Sequence, residues 1–112
     1  MRIRPTALGY LRTDVSRQAQ LWDETQIRTL AARLGYDFAG MVIFEPRSNR
    51  PPLAALKAQA TRLDAEAVIV PAASHFDGGQ VPDDLVGRVD VITVSPEQTY
   101  ARWGQRHGTI ER

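Results

Sequence analysis

The chain predicts an α/β domain built on a mainly parallel sheet, and three observations carry that expectation. Two short β-branched runs, Val68-Ile69-Val70 and Val91-Ile92-Thr93-Val94, have the unbroken apolar character of strands covered on both faces. Between the apolar runs lie segments whose hydrophobic residues recur with helical spacing. Strand and helix therefore alternate along the chain, the pattern that right-handed crossovers between parallel strands produce.

Each element follows from local signals. Residues 7–13 are rich in apolar side chains and read as the first strand, with a polar loop from Asp14 to Trp22 behind it. Asp23 suits a helix N-cap, and Gln26 stands at capping-box spacing from it. Ile27, Leu30, Ala31 and Leu34 then share one helical face, and Gly35 stands where a left-handed C-terminal cap is expected. Continued backwards, that stripe meets Asp23 and Gln20, so the helix is expected to begin near Asp23, with Leu21 and Trp22 in the preceding loop or an extra turn. Met41-Val42-Ile43-Phe44 reads as the second strand, and Ser48-Asn49 as a turn. Pro51 and Pro52 suit the first positions of a helix that buries Leu53, Leu56, Ala60 and Leu63. Pro82-Asp83-Asp84-Leu85-Val86 reads as a short helix before the fourth strand. From Pro96 onward the periodicity ends. Residues 1–95 are thus the expected domain and 96–112 a tail that mixes Tyr100 and Trp103 with arginines.

Composition narrows the classes of function. A chain of 112 residues makes one domain, with 43% hydrophobic and 24% charged content. The absence of cysteine excludes disulfides, Cys-based zinc sites and thiol catalysis. A formal charge of +1 speaks against a basic surface over the whole domain. No apolar run approaches the roughly 20 residues that span a bilayer. The start, Met1-Arg2-Ile3-Arg4-Pro5, is too short and polar for a secretory signal, so a cytoplasmic location is expected. Gly78-Gly79 is a turn, not a phosphate cradle.

In open parallel sheets, ligands bind beyond the carboxyl ends of the strands, at the switch in strand order. That rule gathers Arg12, Thr13 and Asp14 near Ser74, His75 and Asp77, with Arg50 at the mouth of the next helix. Asp14, His75 and Asp77 are one candidate set, for a metal or with His75 as general base. Against it stands the simpler expectation that His75 and Asp77 lie in an exposed Gly-rich loop and that Asp14 caps a turn. An arginine at the end of a buried strand requires a partner, and Asp14 is the expected one for Arg12.

Several segments also resemble, in order, the catalytic domain of the serine recombinase (resolvase/invertase) family. They are Gly9-Tyr10-Leu11-Arg12-Thr13-Asp14, Gln26-Ile27-Arg28-Thr29-Leu30 with Gly35-Tyr36, Phe44-Glu45 followed by Arg50-Pro51, and Ala67-Val68-Ile69-Val70. The resemblance is read over roughly residues 7–95. The resemblance implies a flavodoxin-like three-layer sandwich with a mainly parallel sheet. It also implies loss of chemistry. The family's first strand ends Tyr-x-Arg-Val-Ser, and that serine attacks DNA; here Tyr10 and Arg12 match, but Asp14 stands at the serine position. The family's Asp-Arg-x-x-Arg phosphate clamp is replaced by Ala72-Ala73-Ser74-His75-Phe76-Asp77-Gly78-Gly79, which has no arginine. Ser16 offers a hydroxyl only in a shifted register.

The resemblance thus implies a pseudoenzyme, a protein-interaction or regulatory module with a vestigial ligand or anion site at Arg12, Asp14, Ser16, Arg50 and His75. No catalytic residue, metal or cofactor is implied. The expected partner is another protein or a second copy of the chain; nucleic acid is expected to bind weakly and a membrane not at all. The alternatives are a DNA-binding accessory of DNA recombination that keeps phosphate contacts through Arg12 and Arg50, or a small enzyme or metal-binding protein using Asp14, His75 and Asp77.

Overall fold

A computed structural model describes residues 4–103. Strand β1 (Thr6–Arg12) is buried over all but its last residue, because it runs through the middle of the sheet. On one side it pairs in parallel with β2 (Asp37–Phe44), on the other with β3 (Ala67–Val70). Beyond β3 lies β4 (Asp90–Thr93), also parallel, and then β5 (Gln98–Tyr100), antiparallel to β4. The order β2-β1-β3-β4-β5 places the switch in strand order between β1 and β3.

Alternation along the strands sends side chains to two apolar layers. Ala7, Ala67, Ile69 and Ile92 pack beneath α2 (Gln20–Arg33) against Ile27, Leu30 and Ala31. Leu8, Tyr10, Val68, Val70 and Val91 pack on the other face, against Leu56 and Ala60 of α3 (Ala54–Leu63) and Leu85 and Val86 of α4 (Asp83–Val86). The turn α1 (Thr13–Ser16) follows β1 directly. No helix among the described residues is long and apolar enough to cross a membrane.

Gly9 sets the distance between α2 and the sheet. A Cβ there would stand 2.9 Å from Ile27 Cγ2 and closer still to Met41 Sδ. The thioether can swing aside, but Ile27 is β-branched and fully buried. Gly9→Ala is expected to destabilise the fold by about 1–2 kcal/mol, as overpacking of a filled core does. Urea unfolding measures it; an unchanged midpoint would mean that α2 rides freely over β1.

The element boundaries depart from expectation in four places. Helix α2 starts at Gln20 rather than near Asp23, so Leu21 and Trp22 form the extra turn and not the loop, 77% and 65% exposed. Its first turn lies outside the buried stripe, so burial cannot mark where the helix begins. Asp23 is accordingly inside the helix rather than its cap. Second, β2 begins at Asp37 and reaches Gly40 through a bulge that leaves Ala39 without a partner on β1. Third, Pro51 and Pro52 form the turn before α3, where Ala54 N–H bonds Pro51 O at 3.2 Å. Last, the sheet continues into the segment expected to be tail. After the cis Ser95–Pro96 peptide the chain reverses and β5 pairs with β4. Residues 104–112, the rest of that expected tail, lie outside the described residues.

Two other expectations hold in detail. Gly35 has φ +85°, Tyr36 N–H bonds Ala31 O at 2.9 Å and Gly35 N–H bonds Ala32 O at 3.1 Å, a Schellman ending to α2. Leu56 and Ala60 are buried, with Leu53 and Leu63 packed beside them, as the α3 stripe requires.

Candidate functional site

At the switch point, β1 ends on Arg12. The helical turn α1 brings Asp14 back onto its side chain, so Arg12 Nε and Nη2 donate to Asp14 Oδ1 and Oδ2, both at 3.0 Å. Nη1 donates to Asp77 Oδ1 at 2.8 Å. The guanidinium lies over the Phe44 ring, 5.5 Å from its centroid. Arg12 is thus held by groups from α1, from the loop after β3 and from β2. Its pKa is raised, chiefly by the bond to Asp14, and the same contact holds the Asp14 carboxyl below its ordinary range.

His75 ends a 3₁₀ turn (Ala73–His75) after β3 and is 3% exposed. The expectation of an exposed loop is therefore wrong for His75, though right for Asp77, which is exposed. The reason is a backbone donor: the N–H of Arg12 bonds His75 Nδ1 at 3.0 Å. The imidazole satisfies a partly buried amide at the end of β1. Accepting at Nδ1 leaves the ring proton of the neutral form on Nε2. Burial, helped by the charge of Arg12, pushes the pKa of His75 down, against the opposing pull of Asp23 and Asp14.

A pH dependence follows. Below about 6.5 the unfolded chain protonates this histidine while the folded chain resists. Stability should therefore be complete above about pH 6.5 and fall as pH drops toward the lower folded value. NMR titration should show the His75 ring still neutral below about pH 6.5, and His75→Asn should flatten the urea-measured slope over that range. A ring that titrates at the ordinary value would contradict the assignment.

Between α3 and the loop after β3 opens a cleft of about 860 Å³. Its floor holds Tyr10 and Phe76, stacked with centroids 5.7 Å apart and planes inclined by 11°. Tyr10 Oη donates to Pro52 O at 3.4 Å, and burial pushes the phenol pKa up to about 12. Arg12 and His75 line one end; Lys57, paired with Asp84, lines the other wall.

Compared with known protein families, curated proteins and solved structures, the chain matches none. The chemistry of the site rests on its own residues.

Of the residues singled out from sequence, Arg12, Asp14, His75 and Asp77 come together. Arg50 does not: it is exposed and lines a separate hollow of about 240 Å³ with Glu45 and Ser48. Ser16 is buried, and its Oγ donates to Asp23 Oδ2 at 2.6 Å. Among the described residues no group of three or more His, Cys, Asp or Glu side chains is placed to hold a metal. Asp14 and Asp77 are instead turned onto Arg12. Residues missed from sequence are Phe44, Phe76, Lys57 and Asp84. Lys57 alone carried a usable signal, since it stands one helical turn after Leu53, at the edge of the α3 stripe.

Proposed function

We propose that this domain is a flavodoxin-like module of the serine recombinase type that has lost phosphoryl-transfer chemistry and works by binding a protein partner, a second copy included. The observation that carries the loss of chemistry in this reading is the double capture of Arg12 by Asp14 and Asp77. A phosphodiester would have to displace a carboxylate from the guanidinium and then sit beside it. Strand transfer also requires an attacking hydroxyl and cationic groups around the pentavalent phosphorus. The Ser16 hydroxyl is committed to Asp23, and the other cation of the cleft, Lys57, is committed to Asp84. The strand order 2-1-3-4-5 supports the flavodoxin-like assignment, since it is the order of such sheets, from which the antiparallel β5 departs.

The test is incubation with supercoiled DNA followed by denaturing electrophoresis for covalent protein–DNA adducts. No adduct and no change in topology are expected; an adduct abolished by Ser16→Ala would overturn the proposal. Duplex DNA should bind only in the non-specific range, with Kd weaker than about 1 μM near physiological salt and a steep salt dependence. Sequence-specific binding tighter than about 100 nM would instead support the DNA-accessory reading.

A further inference from the structure

The cleft beside Arg12 is a half-open hollow with an apolar wall of Pro51, Pro52, Leu53 and Val81 and a surplus of carboxylates at its rim. From these we propose that it binds a small organic cation, an amine or amidine carried on an apolar ring. The volume, about 860 Å³, lies within the roughly 300–1,000 Å³ of small-molecule pockets. Pro52, Leu53 and Val81 supply apolar surface for the body of a ligand, and the stacked Tyr10 and Phe76 rings are buried beneath it.

Charge decides the class of ligand. Two cations line the cleft, Arg12 and Lys57, and both are engaged, Arg12 by Asp14 and Asp77, Lys57 by Asp84. Asp83 also lines it and has no salt bridge among the described residues. Three carboxylates of the lining, Asp77, Asp83 and Asp84, thus face its two cations, and Asp14 binds Arg12 from outside the cleft. An anion would have to break one of the existing pairs and lie beside Asp83. A cation displaces nothing: it meets Asp83 at the rim, and Asp77, which spends only one oxygen on Arg12. The neutral ring of His75 adds no opposing charge at neutral pH. This inference holds whether or not the domain has lost DNA chemistry.

The experiment is an NMR titration of the full ¹⁵N-labelled chain at neutral pH and low salt. The probes are benzamidine, the near-isosteric neutral benzyl alcohol and the anion benzoate. Benzamidine is expected to give saturable shifts at the amides of Leu53, Phe76, Gln80 and Val81. The two other probes should bind at least about threefold more weakly, the scale of one exposed charge contact. Asp83→Asn, an exposed position where Asn also suits the start of a helix, should weaken benzamidine about two- to fivefold and leave the apo spectrum otherwise intact. Equal binding of the three probes would overturn the proposal. So would shifts centred away from the cleft, no saturation, or unchanged affinity in Asp83→Asn.

Discussion

Tyr10→Ala is expected to lower the unfolding free energy by about 3–5 kcal/mol, the range for removing a buried aromatic side chain. Tyr10 is 1% exposed and belongs to the apolar layer beneath α3. Truncation removes the stack on Phe76 and leaves a void at the floor of the cleft, where α3 is held by Leu56 and Ala60 and cannot easily collapse inward. Tyr10→Phe keeps the stack and the volume. It gives up only the 3.4 Å bond to Pro52 O, a long one, and should cost less than about 1 kcal/mol. Urea unfolding of both variants separates ring from hydroxyl. If Tyr10→Phe costs as much as Tyr10→Ala, the hydroxyl rather than the ring holds this corner together.

Arg12→Ala should cost about 1–3 kcal/mol, less than the 3–5 typical of a fully buried pair. The Arg12 side chain is only 16% exposed, so the packing of its guanidinium over Phe44 and its three donated bonds are lost together. Asp14 and Asp77 are left facing each other, but they are 46% and 80% exposed and water rehydrates them, which limits the loss. Asp14→Ala should be smaller, about 1 kcal/mol or less, because Asp77 still holds the guanidinium. The pair also shapes the acid limb of stability. Arg12 depresses the folded-state pKa of Asp14, so its contribution is present above the unfolded value near 3.9 and is lost as pH falls through the folded one. Asp14→Asn should flatten stability against pH below about 4. A variant with an unchanged acid limb would show that the contact does not persist in solution.

Much of the frame was legible because burial leaves a mark on composition. Val68 to Val70 and Val91 to Thr93 are covered on both faces, and their unbroken β-branched runs said so. The α3 stripe and the Gly35 cap were equally plain. What was hidden is what burial does not mark. Strand β5 is three exposed residues, Gln98, Thr99 and Tyr100, with no apolar face to betray it. The first turn of α2 carries Leu21 and Trp22 outward, so hydropathy pointed away from a helix. In the site, the Arg12–Asp14 pair was legible from proximity in sequence and from the cost of burying a lone arginine. The approach of Asp77 was legible only as a neighbourhood, set by the ends of β1 and β3. The role of His75 was not legible, since it answers to a backbone N–H, and no residue type reveals which amide lacks a partner.

The outer edge of β2 bears on how the protein behaves in a crowded solution. An eight-residue strand with Phe38, Met41, Val42, Ile43 and Phe44 half-covered or exposed is the kind of border onto which another chain can add hydrogen bonds. The bulge at Ala39 and Gly40 breaks that border into two short pieces and bends it. It depends on Gly40, whose φ of +148° other residues rarely adopt. A side chain at position 40 would favour a straight border, and with it fibre-like stacking of sheets. A side chain there would also strain the folded strand, so this one glycine serves colloidal solubility and the folding equilibrium together.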